Sequence, residues 1–142
     1  MTAATMFTAA CSGAASVDPP SPPPAGSVKA TACAEFMAEL PDELLDESMR
    51  ETDPRSDLTA AWGHPAITVR CGGPDPAALN PASKLTVVGD VDWFAEELTE
   101  GYAFTTYDRV ANVEVTVPDD YAPEIGPVSE LSPLVAKTVP NR

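Results

Sequence analysis

The residues of this chain able to do covalent, redox or acid–base chemistry are three cysteines, one histidine and a large excess of carboxylates. With a single histidine, any Ser-His-Asp or Cys-His arrangement must use His64. It lies between Gly63 and Pro65, a loop setting, and no G-x-S-x-G elbow, S-x-x-K pair or H-E-x-x-H helix accompanies it. Carboxylates this numerous place pairs such as Glu96-Glu97 and Asp119-Asp120 side by side by composition alone. Neither pair stands in a glycine-flanked calcium loop. Gly72-Gly73 lacks the further glycine and the lysine of a phosphate loop. The reading is therefore no catalytic residue and no cofactor. It is also no metal site, since only His64 could join the cysteines as a soft ligand.

The cysteines divide into one and two. Cys11 follows the uncharged, mildly apolar run Met1 to Ala10, with small residues Ala9 and Ala10 directly before it and Ser12-Gly13 after it. That resembles the end of a bacterial lipoprotein signal, in which Cys11 becomes the lipid-bearing residue. Thr8 stands where such signals usually carry an aliphatic residue, and the first basic residue is Lys29, so the natural start is expected upstream of Met1. Lipidation of Cys11 removes it from thiol chemistry and leaves Cys33 and Cys71 as a pair in an exported, oxidising setting. Closing that loop would stabilise the fold by about 4 kcal/mol on a chain-entropy account.

The elements that must position this pair are a helix and a strand. Cys33, Phe36, Met37 and Leu40 recur at helical spacing after Thr31, the expected cap. Ile67, Val69 and Cys71 alternate with Thr68 and Arg70 in the run Trp62 to Gly73, a strand with Cys71 on its inward face. Pro41 to Met49 is expected to form a second short helix burying Leu44, Leu45 and Met49. Further strands are expected at Leu85 to Val88, Tyr102 to Thr106 and Asn112 to Val117, with Val91 to Phe94 extended or mixed and a hairpin at Asp108-Arg109. A last helical segment runs from Ile125 to Val135, which Pro133 should kink or split. The expected architecture is α+β: a small, mostly antiparallel sheet of about four strands, helices packed on one face, stapled by one disulfide.

Residues 1–10 read as the remnant of a signal, 11–30 as a Pro/Ser/Ala-rich tether and 31–142 as the globular domain. The tether has almost nothing to bury, and its prolines favour an extended form reaching roughly 50 Å. The formal net charge of −14 and the scattered basic residues exclude nucleic acid as a partner. Among the aromatic residues, most must fill the core; Trp93 and Tyr107, with Arg109, are the candidates for an exposed binding patch.

The order of these signals resembles an actinobacterial family of exported proteins, domain of unknown function 3515. The matching pieces are Leu40-Pro41, Trp62 to Gly72, Val91 to Trp93, Thr106 to Arg109 and Val113 to Pro118. The resemblance implies an envelope location and no particular activity. The functional expectation is a monomeric, non-enzymatic lipoprotein or accessory binding domain at the outer face of the cytoplasmic membrane. It would touch the membrane through its lipid anchor only and bind an envelope protein or ligand. The alternative is a hydrolase or transferase acting on envelope material with a carboxylate pair.

Overall fold

The computed structural model describes residues 13–142, so Cys11 and the leader lie outside the described residues. The elements run β1 (Ala15–Ser16), α1 (Val28–Ala38), β2 (Glu43–Leu44), β3 (Glu47–Arg50), β4 (Thr52–Asp53), β5 (Thr59–Trp62), β6 (Ile67–Gly73), β7 (Thr86–Val88), β8 (Val91–Leu98), β9 (Gly101–Thr106), β10 (Asn112–Pro118) and α2 (Ile125–Thr138). A 3-10 turn at Asp119–Tyr121 precedes α2.

The architecture is mixed α+β, but the sheet is larger than its sequence suggested. It has eight strands, not about four, ordered β2-β3-β5-β6-β10-β9-β8-β7 with antiparallel neighbours throughout. Two four-stranded meanders meet where β6 pairs with β10. Both helices pack on one face: α1 against β6, α2 against β10, β8 and β7, and each against the other. Ile67, Val69 and Cys71 of β6 and Val113, Val115 and Val117 of β10 point into that core, each almost fully buried.

Three departures from the expected elements have identifiable causes. Pro41 to Met49 forms no helix; β2 and β3 make a hairpin closed by Leu45 and Asp46, both with positive φ. Such a turn normally carries Asn-Gly or Asp-Gly. Here packing of Leu45 on Gly126 of α2 and a hydrogen bond from Leu45 N–H to Glu130 hold it instead. Leu44 is buried and Met49 exposed. β5 escapes a period-two reading because all four of its residues are buried, so the strand has no solvent side to mark. Trp62 ends β5, and the strand bearing Cys71 begins only at Ile67. Finally, α1 starts at Val28, capped by the Ser27 hydroxyl accepting from Ala30 N–H; Thr31 lies within the first turn. α2 continues through Pro133, which has no N–H to donate to the Ser129 carbonyl; both residues are on the exposed side of the helix.

The stretch expected as a free tether is in contact with the domain. β1 pairs in parallel with β4, Ala15 and Val17 pack on Ala61, and Pro20 is buried. Ala15 N–H and Val17 N–H donate to Glu51 and Asp53 carbonyls, and the Arg50 guanidinium donates to the Gly13 carbonyl at 2.6 Å. This strap covers part of the sheet face that the helices leave open.

Cys33 and Cys71 are joined, with Cα atoms 5.7 Å apart, and both are fully buried. Gly72 follows at the one register irregularity between β6 and β10, with φ +97°; an added Cβ would press on Cys33 Sγ at 3.4 Å. The bulge and the cross-link thus need a glycine beside the cysteine. Replacing Cys33 or Cys71 with Ser should lower unfolding free energy by about 2–5 kcal/mol in urea titrations. The double replacement should cost little more than either single one, because the two residues act as a unit.

Candidate functional site

The open face of the sheet carries an arrangement of charged side chains of both signs around a concavity. Strand alternation sets it up: with Ile67, Val69 and Cys71 facing the helices, Arg70 must face the other way, as must Glu114 on β10 and Thr105 on β9. Register then aligns them, since Arg70 pairs with Glu114 and Glu114 with Thr105. Glu96 on β8 lies on the same face. The chain leaving β6 through Pro74, Asp75, Pro76 and Ala77 forms one wall, and the partly open cavity measures about 350 Å³.

Electrostatics and hydrogen bonds fix its shape. Arg70 Nη1 meets Glu114 Oε1 at 3.3 Å, both side chains about a third exposed. Asn112, 5% exposed, donates from Nδ2 to the Gly73 carbonyl at 3.2 Å and to Asp75 Oδ1 at 2.9 Å, pinning the wall to β10. Arg142 reaches Asp75 at 3.5 Å from the C-terminus. The Asn112 amide holds the Asp75 carboxyl below its ordinary value; partial burial opposes this, and Arg142 and then Lys29 add to the lowering. Two buried polar atoms find no partner among the described residues of this site: Arg70 Nε and Thr105 Oγ1.

The residues singled out from sequence fall out differently. Trp93, Tyr107 and Arg109 do not form a surface patch. Trp93 is fully buried, its indole N–H donating to Ser132 Oγ at 3.0 Å, while Ser132 in turn donates to the Val128 carbonyl. Arg109 is 4% exposed and donates to the carbonyls of Val139 and Asp90. A cation just past the last turn of α2 suits the negative end of the helix dipole. Tyr107 alone is exposed. Glu96 and Glu97, being consecutive on a strand, point to opposite faces, and Glu97 pairs with Tyr102 on the helix side. Asp119 and Asp120 are exposed at a broader hollow with Pro65 and Leu98. Partial desolvation by its neighbours raises the Asp119 carboxyl above its ordinary value, with Glu124, Asp120 and Glu97 adding to the rise. His64 is exposed in the turn between β5 and β6. Among the described residues no group of three or more His, Cys, Asp or Glu is placed to hold a metal, and no helix is long and apolar enough to cross a membrane. Cys11 lies outside the described residues.

Sequence reading missed the open-face cavity because Arg70, Thr105 and Glu114 are 9 to 44 residues apart and meet only through sheet register. A family model described as a protein of unknown function (DUF3515) matches residues 1–142. No curated protein and no solved structure matches the chain. No relative of known activity therefore lends roles to these residues, and the cavity stands on its own geometry.

The lowered Asp75 carboxyl links the wall to pH. A group whose folded pKa lies below its unfolded value stabilises the fold above the unfolded pKa and loses that contribution as pH falls through the folded one. Asp75→Asn should therefore be less stable than the wild type at pH 7, by under about 1 kcal/mol since solvent screens the site. The difference should close as pH falls below the ordinary 3.8. Urea unfolding of both proteins at pH 7 and in acid measures it.

Proposed function

We propose that this chain, which belongs to the DUF3515 family of proteins of unknown function, is an exported accessory or binding lipoprotein that works without catalysis. In this reading it is acylated at Cys11 and held at the outer face of the cytoplasmic membrane. The observation that carries the proposal is the buried Cys33–Cys71 cross-link, since such bonds persist in oxidising compartments and are reduced in the cytosol. The leader sequence before Cys11 adds the anchor.

The strap changes how such an anchor would present the domain. Gly13 is fixed against Arg50 and lies two positions after Cys11, with Ser12 between them. Two residues span at most about 7 Å, so the lipid would enter the bilayer close beside the β3–β4 corner. A stalk of some 50 Å between membrane and domain is not compatible with a docked residue 13. With a net charge of −14, the domain gains nothing from an anionic leaflet, and the lipid must supply the attachment.

Binding is favoured over the carboxylate-pair alternative by the arrangement of acids. General acid–base cleavage needs two carboxyls flanking one bond, one of them shielded from water. Glu96 and Glu97 diverge, and Asp119 and Asp120 stand in solvent. What the fold offers is a walled polar cavity on a rigid sheet, the form of a binding seat.

Expressed with its complete leader in a bacterium that acylates lipoproteins, the wild-type chain should take up labelled fatty acid and fractionate with membranes. Cys11→Ala should take up none and be released to the soluble fraction. A wild-type chain that never acquires label overturns the lipoprotein reading.

A further inference from the structure

We propose that the open-face cavity binds a short peptide-like zwitterion, about two residues long, with its carboxylate at Arg70 and its ammonium at Glu96. The inference deepens the binding reading above and does not depend on acylation of Cys11.

The argument begins with what the cavity leaves unmatched. Thr105 is 2% exposed, and its hydroxyl has no hydrogen-bond partner among the described residues. Arg70 Nε is buried and equally unpartnered. A buried donor without an acceptor is an unfavourable arrangement that native folds keep rare, and it is relieved when a ligand supplies the missing atom. Arg70 meets Glu114 through one nitrogen at 3.3 Å, longer than the ~2.8 Å of a well-made charge-assisted bond. Its Nη2 makes no hydrogen bond among the described residues and, unlike Nε, is not buried, so it is the donor open to a ligand carboxylate. Glu96, half-buried two strands away from β10, makes no hydrogen bond or ion pair among the described residues. One accessible guanidinium nitrogen and one unpaired carboxylate therefore line the same hollow.

Charge rules out the simpler ligands. Asp75, Glu96 and Glu114 line the cavity against Arg70, so an anion alone would meet three carboxylates. A cation alone would leave the Arg70 donors unmatched. A ligand carrying both charges satisfies both ends. The spacing sets its length: Arg70 on β6 and Glu96 on β8 are three strand intervals apart and offset by two residues along the strands, or about 16 Å between backbones. An arginine and a glutamate side chain extended towards one another across that distance would leave a gap on the order of 5 Å, wider than the charge separation of a single amino acid and close to that of a dipeptide. Thr105 and Glu114 stand between the two ends, where the peptide bond would lie. The 350 Å³ cavity accommodates a molecule of that size.

The test uses the described chain without acylation and four probes: alanyl-alanine, its N-acetyl form, its C-terminal amide and glucose. Backbone NMR titration should show alanyl-alanine shifting the amides around Arg70, Glu96 and Thr105, with each blocked dipeptide at least about tenfold weaker. Glu96→Gln, which breaks no hydrogen bond or ion pair among the described residues, should keep the wild-type thermal midpoint. It should weaken alanyl-alanine about tenfold while leaving the N-acetyl form unchanged. Absence of shifts at these residues up to about 10 mM alanyl-alanine overturns the proposal, as does equal binding of the blocked forms or preferential binding of glucose. Acylation measured separately at Cys11 distinguishes failure of the site from failure of the lipoprotein reading.

Discussion

Among the described residues, five registered pairs between β6 and β10, from Gly73–Asn112 to Thr68–Thr116, are the one junction within the sheet between its two four-stranded meanders. Each meander alone would have an unpaired edge and half a core. Joined, they present Ile67, Val69 and Cys71 beside Val113, Val115 and Val117 as one continuous apolar surface for α1 and α2. The disulfide is placed at this junction, tying α1 to β6 where the bulge at Gly72 breaks the ladder. The bulge disrupts the ladder locally, and the covalent bond holds the bulged strand to α1 at the same point. On the other face, the same register brings Arg70 opposite Glu114. Core, cross-link and cavity thus share one seam.

The large polar and aromatic side chains around that seam are spent on holding elements together. Trp62 donates to the Pro41 carbonyl at 3.0 Å, which links the end of β5 to the segment after α1. Trp93 reaches Ser132 of α2, and Tyr121 donates to the Pro65 carbonyl at 2.6 Å, fixing the turn beyond β5. Gly63 in that turn has φ +74° and offers its carbonyl to Arg50, so a side chain there would be strained and would collide with Tyr121. Arg109 performs the same service at the C-terminus, where its carbonyl accepts from Arg142 and Val110 N–H donates to Pro140. Buried aromatic and guanidinium groups are tolerated here because nearly every donor finds a carbonyl. Arg109 Nε and, on the open face, Arg70 Nε are the guanidinium exceptions among the described residues.

Sequence patterns revealed the parts whose environment is one-sided. β6 and β10 alternate because one face is packed and the other is not, and the inward positions of Cys33 and Cys71 followed from two different periods, 3.6 and 2. The pairing of those thiols was legible for that reason. β5 was not, since Thr59 to Trp62 are covered on both sides, and the hairpin at Leu45-Asp46 was not, since a tertiary contact with α2 overrides weak local turn chemistry. Trp93 and Arg109 were placed at the surface from residue type, yet a hydrogen-bond partner across the fold allowed each to be buried. The cavity was invisible from sequence because it depends on which residue of β10 lies opposite Arg70, and register is a property of the assembled sheet.

The strap gives the open face a division of labour. From Gly13 at Arg50 it crosses Ala61 with Ala15 and Val17, and Pro20 then packs beside Gly73, where an added Cβ would lie 3.8 Å from it. Pro23 comes next to Gly72 on the way to α1. The chain therefore changes face at the end of β6, at the bulge and beside the disulfide. Gly73 also lines the cavity, so the segment leading from Cys11 ends its crossing at the cavity rim. Its proline content suits this role: with φ already fixed, the strap loses less entropy on docking than a flexible chain would. A segment that looks like a spacer by composition is, by contact, a cover over the sheet, and the part of the face it leaves bare is the part that carries Arg70, Thr105 and Glu114.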